Sequence, residues 1–376
     1  MWKIQLFQLN YDELEKKAVS DVLDSGWITM GQNIIDFENK FAKLISDNVY
    51  CSAVSSGTAA MHLALIALNI KKGDEVIIPA LTFVSDANCV KLVGADPVLA
   101  DVTSEDNWNV SVETLEQVIT KKTKAIVVVH YAGYPCDMKP IVELCKEKNI
   151  YLIEDCAHAP GASIDGIGVG SWGHVGCFSF FTNKNLSVGE GGMTSTKDKY
   201  LAKKIASLRS HGMTSLTLDR HKGRSTSYDV VEPGINYRMD EIRAALGLVQ
   251  LTKLKKANSD RKKITDRYRT NFKNTNINVP FDNFCINHKS SYHILPILLP
   301  TNTDRGKLME DLKNEGIQSS IHYPAFWDFE AYRNQFDKKL LPNAANIIPR
   351  ELTLPLYPSM SNSEIDIVSN AVINNI

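Results

Sequence analysis

An excess of charge of one sign is missing from this 376-residue chain: Lys and Arg number 42, Asp and Glu 43, and the formal net charge is −1. Nucleic-acid affinity depends on Lys and Arg releasing counterions from phosphates, so this balance argues against a nucleic-acid partner. Long hydrophobic runs are missing too. The stretches Glu75-Val76-Ile77-Ile78-Pro79 and Ala125-Ile126-Val127-Val128-Val129-His130 fall far short of the ~18 residues of a membrane span, and no membrane partner is expected. The opening run Met1-Trp2-Lys3-Ile4-Gln5-Leu6 lacks the basic and apolar regions of a secretory signal. Cysteine is sparse, with 7 residues scattered from Cys51 to Cys285 and no C-x-x-C pair. That usage argues against a disulfide framework or a zinc site, so no metal is expected and a reducing cytoplasm fits. With 44% hydrophobic and 23% charged residues, disorder, collagen and coiled coil are excluded. At roughly 100–200 residues per domain, the length points to two or three domains.

What is present is an alternation of periods. Residues 11–24 and 34–46 carry apolar positions at helical spacing, and Gly57 to Leu68 forms a more apolar helix opened by Ser55-Ser56-Gly57-Thr58. Short β-branched runs at 75–78, 97–101, 125–130 and 150–154 then alternate with helix-like segments at 84–93, 111–120 and 137–148. Repeated strand-helix units predict an α/β fold with a mostly parallel sheet, whose strands are continuous apolar runs because helices cover both faces. Ligands of such sheets sit beyond the carboxyl ends of the strands, so the residues just after each run carry the chemistry. A long helical stretch follows from Met239 to about Phe272, then a smaller αβ segment beyond Pro280. The domain boundary is placed near 255, giving a large domain over 1–255 and a smaller one over 256–376.

Gly168-Val169-Gly170-Ser171-Trp172-Gly173 spells G-x-G-x-x-G, but the dinucleotide fingerprint works only between a strand and a helix, and here the strand-like run Cys177 to Phe181 follows. A glycine-rich hairpin is the better reading. Ser56-Gly57-Thr58 opening an apolar helix makes a candidate anion cup of free N–H groups and hydroxyls, although Ser there is also an ordinary N-cap. Asp155 follows the run Ile150-Tyr151-Leu152-Ile153-Glu154 and would lie at the sheet's carboxyl edge, where a carboxylate needs a partner. A structural turn cap or a protonated heterocyclic nitrogen would each serve. Lys184, between an aromatic run and Gly189-Glu190-Gly191-Gly192, becomes a nucleophile able to form a Schiff base if its pocket is dry. Phosphate cup, pyridinium partner and Schiff-base lysine, in that order, read economically as a pyridoxal phosphate site.

With these residues in place, the sequence resembles the DegT-type, or StrS-like, nucleotide-sugar aminotransferases. The resemblance rests on Ser56-Gly57-Thr58-Ala59-Ala60, Gly73-Asp74-Glu75-Val76-Ile77, Thr82-Phe83, Glu154-Asp155-Cys156-Ala157-His158, Ser179-Phe180, Lys184-Asn185-Leu186, Gly191-Gly192 and Gly234-Ile235-Asn236-Tyr237-Arg238-Met239, in that order. It implies the aspartate-aminotransferase fold, a three-layer αβα large domain with a smaller C-terminal αβ domain. It also implies that Lys184 forms the internal aldimine with pyridoxal 5'-phosphate, that Asp155 pairs with the pyridine nitrogen, and that Phe83 stacks on the ring. Gly57, Thr58 and Ser179 would bind the phosphate, and His158 stands where a side chain contacts the ring face or hydroxyl. Asn236 would reach the cofactor of a neighbouring subunit, so the active site would be shared in a homodimer. The implied reaction moves an amino group from L-glutamate through pyridoxamine 5'-phosphate to a keto group of a nucleotide-linked sugar, for polysaccharide or glycan precursors.

Other reactions on this scaffold are weighed against it. Relatives that are sugar dehydratases carry His where the lysine would be, and Lys184 favours transamination. A small keto-phosphate or keto-cyclitol acceptor is a further alternative, as is a non-catalytic protein on the same fold, which intact Asp155 and Lys184 argue against. Trp27 in its loop, with His322 and Tyr323 of the smaller domain, are candidate substrate contacts. His62 reads as a satisfied core or interface group, and His211 with His221 lack the spacing of a helical metal pair. The cluster Lys253, Lys255, Lys256, Arg261, Lys262 and Lys263 reads as a solvated helix face.

Overall fold

In the computed structural model of this chain, which describes residues 2–215, 223, 226–282 and 287–376, the strand-helix alternation forms a seven-stranded sheet. Cys285 and His221 lie outside the described residues. Across the sheet the strands run Tyr50–Val54, Gly192–Thr196, Val175–Ser179, Tyr151–Asp155, Thr123–Val129, Glu75–Pro79 and Asp96–Ala100. The last five are mutually parallel, and Gly192–Thr196 is antiparallel to both of its neighbours. Period two along each strand feeds two cores. Val76, Ile78 and Val127 pack with Ala60, Leu63 and Ala64 of helix Gly57–Ala67 on one face. Ile77, Ile126 and Val128 pack with Ile141 and Leu144 of helix Met138–Lys148 on the other. The continuous apolar runs therefore reflect burial on both sides, as expected of a parallel sheet between helix layers. No helix among the described residues is long and apolar enough to cross a membrane.

The smaller part is built on the antiparallel pair Leu295–Leu298 and Glu351–Leu354, covered by helices Arg305–Glu315 and Asn362–Asn374. Helix Glu241–Phe272 joins the two parts: Ala244 and Leu254 enter one core of the large part, and Ile264, Tyr268 and Phe272 enter the core of the smaller one. Position 255 falls inside this helix, so the change of core happens without a break in the chain. Ile4 crosses over and packs in the smaller core. On the same helix, Lys253 pairs with Asp12 and Glu15, Lys256 and Lys263 with Asp260, and Lys262 with Asp266. Arg261 departs from the expected solvated face. It is only 4% exposed and its guanidinium donates to the carbonyls of His293 and Leu356, because it sits at the seam between the cores.

The glycine motif acquires a structural meaning. The run is not itself a hairpin: Ser163–Ile164 and Ile167–Gly168 pair around a turn at Asp165-Gly166 and end where the run begins, and the loop that follows closes over Glu154. Glu154, fully buried, accepts N–H groups of Gly170 at 2.7 Å and of Trp172 and Gly173 at 2.8 Å each. His130 Nδ1 accepts the Cys136 N–H at 3.1 Å, which leaves its Nε2 protonated and donating to Glu154 at 3.1 Å. Gly170 is required here: its φ is +86° and a Cβ would lie 2.6 Å from the Phe178 ring. The motif is thus an anion nest for the protein's own carboxylate rather than for a pyrophosphate. Replacing Glu154 by Ala orphans these amides and is expected to cost about 3 kcal/mol or more. The shift in urea midpoint measures it, and a loss near zero would remove the nest from the stability of the fold.

Candidate active site

Four chain segments leave the carboxyl edge of the sheet within reach of one another and bound a cavity of about 420 Å³. Gly57, Thr58, Phe83, Asp155, His158, Ser179, Lys184, His322 and Tyr323 all line it. Trp27 and Asn236 do not. Trp27 donates its Nε1–H to the Met30 carbonyl at 3.1 Å and lies over Gly31, and Asn236 is exposed on a segment bridged to Ser210. His62, half-buried, shares a hydrogen bond of 3.1 Å with Tyr237 Oη outside the cavity, as its bland reading anticipates.

The cup forms where helix Gly57–Ala67 starts against the end of strand Val175–Ser179. Ser56 caps the helix by accepting the Ala59 N–H at 3.0 Å, and its carbonyl takes the Ala60 N–H. The amides of Gly57 and Thr58 take no protein acceptor among the described residues and stand at the positive end of the helix dipole. A Cβ at Gly57 would be 2.8 Å from Ser179 Cβ, so glycine is what lets the amides and the Ser179 hydroxyl converge. Asn183 Oδ1, also at this cavity, is buried with no protein partner among the described residues.

Lys184 lies in the loop after that strand. Its N–H closes a turn onto Phe181 at 2.8 Å, and the following residue pins the loop: Asn185 donates to Asn258 at 2.8 Å and to the Ser291 carbonyl at 2.7 Å. Burial pulls the Lys184 ammonium down to about 8, with the Asp155 charge opposing. Asp155 ends strand Tyr151–Asp155, keeps an edge open to the cavity, and accepts the Ala157 N–H at 2.8 Å. Burial raises its carboxyl, while the Ala157 N–H, Lys184 and a contact with Asp86 lower it. The backbone N–H of Ala132 donates to His158 Nδ1 at 3.2 Å, so Nε2 carries the proton and donates to Tyr323 Oη at 2.7 Å. Burial holds His158 well below its usual range, hence neutral, and Tyr323 keeps its own hydroxyl proton for another acceptor.

Asp86 and Glu351 escaped the reading of the sequence. Asp86 opens helix Ser85–Leu92 just past Thr82-Phe83 and touches Asp155; the signal was an acid in the first turn at the carboxyl edge of a strand. Glu351, fully buried, accepts the His322 N–H at 2.9 Å and the Thr353 hydroxyl at 2.5 Å, and burial raises it to about 7. Nothing local in Arg350-Glu351-Leu352 signals that, since its partners come from tertiary contact.

The pattern of the DegT/DnrJ/EryC1/StrS aminotransferase family matches residues 10–373. The chain belongs to that family. It is 38% identical over 372 residues to the GDP-perosamine synthase of Escherichia coli O157:H7, covering 98% of this chain and 97% of that protein. Among solved structures, the PLP form of Spr1654 from Streptococcus pneumoniae, described as a candidate sugar aminotransferase, superposes with TM-score 0.90 at 30% identity, covering 100% of this chain and 97% of that one. PseC of Helicobacter pylori, an aminotransferase involved in the biosynthesis of pseudoaminic acid, gives TM-score 0.90 at 28% identity, covering 100% and 98%. The three-layer fold is that of PLP-dependent aminotransferases, and the chain is a transaminase of this class that uses pyridoxal phosphate.

The cavity fits that cofactor: an amide and hydroxyl cup for a phosphate, an open carboxylate edge for a ring cation, and an amine whose proton is loosely held. In the cofactor-free protein, the rate of reductive methylation at Lys184 should rise through a midpoint near 8. An ordinary lysine midpoint near ~10.4 would contradict the buried setting.

Proposed function

We propose that this transaminase moves an amino group from L-glutamate to the keto group of a nucleotide-linked sugar. The observation that carries the reading is whole-length identity of 38% to a protein named for a nucleotide-linked amino sugar, joined to a cavity that presents both a lysine and an open carboxylate. Bound cofactor supplies an electron sink for the carbanion that forms when the Cα proton leaves. Lys184 would anchor the cofactor and, as a free amine, would be placed to take a proton from the donor's Cα and to return one. Its value of about 8 leaves roughly one amine in ten neutral at pH 7, far more than an ordinary lysine, while keeping it basic. Asp155 would hold the ring nitrogen protonated, and Phe83 would offer its ring as a stacking surface. Gly57, Thr58 and Ser179 hold the phosphate, and His158 and Tyr323 steady the polar edge.

Residues 1–255 carry the cofactor on this reading, and 256–376 bring in His322 and Tyr323. Phe83 and Phe181 line the cavity yet are 52% and 44% exposed, so one side of it is open. A second copy of the chain would cover that side and bring its own Asn236 to the rim, which is why we assign a homodimer. A nucleotide-linked substrate accords with the cytoplasm expected from cysteine usage.

Nucleotide-linked keto sugars, a keto-cyclitol and a small keto-phosphate should each be offered with L-glutamate while 2-oxoglutarate is followed. Release is expected with a nucleotide-linked keto sugar, and turnover confined to the other two acceptors would overturn the assignment. Lys184→Ala loses anchor and proton carrier together, so its loss in kcat should exceed the ~10²–10⁴ of a general base alone.

A further inference from the structure

We propose that Asp86 is a positioning residue for Asp155: a neutral carboxylic acid that donates its proton to the Asp155 carboxylate and keeps that carboxylate charged and aimed into the cavity. The inference rests on the pairing of Asp155 with the cofactor's ring nitrogen given above. Asp86 is 1% exposed, in the first turn of helix Ser85–Leu92, and its carboxyl lies in hydrogen-bonding contact with that of Asp155. Both line the same cavity, but only Asp155 keeps an open edge. Two carboxyls in contact away from water do not both ionise, so one proton belongs to the pair.

Their other partners decide which carries it. Asp155 already accepts the Ala157 N–H, and the ammonium form of Lys184 stabilises its charge. Asp86 has the Thr82 hydroxyl, which donates to Oδ2 at 2.6 Å. The titratable groups that face Asp86 are Asp155, Cys89 one turn along its own helix, Cys177 on strand Val175–Ser179, and Tyr323, none of them a cation. The proton therefore stays on Asp86, and hydrogen bonds run in one direction, from Thr82 to Asp86 to Asp155. Burial and the Asp155 charge hold the Asp86 carboxyl well above its usual range, and the contact with Asp86 in turn lowers Asp155. A carboxylate that receives this bond has less affinity for a second proton. It leaves the proton on the ring nitrogen it faces, where the cofactor's electron demand needs it.

Asp86→Asn and Asp86→Ala separate a neutral donor from a charge. The amide of Asn keeps both bonds, accepting from Thr82 and donating to Asp155. Asp86→Asn should therefore leave the pH midpoint of the bound cofactor's absorption and kcat near wild type. Asp86→Ala should move that midpoint and lower kcat about tenfold to a hundredfold, with the KM for L-glutamate little changed. Infrared difference spectra of the cofactor-loaded full chain at neutral pH, wild type minus Asp86→Asn, should show the band of a buried protonated carboxyl. Absence of that band, or Asn behaving as Ala does, would overturn the proposal, and the spectrum decides the matter if the Ala variant does not fold. Failure of the sugar assignment leaves the band untouched, so the two readings fail separately.

Discussion

Loss of water around one amine governs the site. Lys184 sits in a loop whose neighbours are tied to the seam between the two cores by Asn185, so its ammonium has few routes to solvent except the cavity itself. Desolvation favours the neutral amine, and the only counterweight among its influences is Asp155. The same dryness holds His158 and His322 below their usual range, so neither competes with Lys184 for a proton near neutrality. Of the three basic side chains that line the cavity, Lys184, His158 and His322, the lysine alone titrates near neutrality.

The strand that carries Asp155 shows how fold and chemistry share a backbone. Successive residues of a strand point to opposite faces, so Glu154 and Asp155 cannot both enter the cavity. Glu154 turns to the interior, where three amides and His130 satisfy it, and the glycine loop exists to deliver those amides. Asp155 turns to the carboxyl edge with one backbone donor and an open side. An acidic pair in the sequence thus divides into a carboxylate satisfied in the interior and one that faces the cavity, through period two alone.

Much of this was legible beforehand. The apolar runs at 75–78 and 125–130 lie within observed strands, apart from His130 at the end, because burial on both faces leaves a strong and local signature. Lys184 and Asp155 were legible because position relative to the sheet edge follows from the strand-helix alternation. Arg261 was misread, since five lysines around it on one helix suggested solvent, and only packing against a second core reverses that. The contact between Asp86 and Asp155 joins residues 69 positions apart by subtraction of their numbers and depends on how helix Ser85–Leu92 sits on the sheet. No local pattern encodes it.

The charge inventory of the cavity constrains what can bind. Lys184 is the one lysine or arginine among its lining residues, and on the proposed assignment it is taken by the covalent anchor. A phosphate in the cup must then be held by Gly57 and Thr58 amides and the Ser179 hydroxyl, neutral donors aided by a helix dipole. Such a cup selects by geometry, since a dianion gains from it only when its oxygens meet amides fixed by the contact between Gly57 and Ser179. A cationic side chain would attract any anion from a distance. Neutral donors reward the one that fits, which suits a group that must be held in a single orientation.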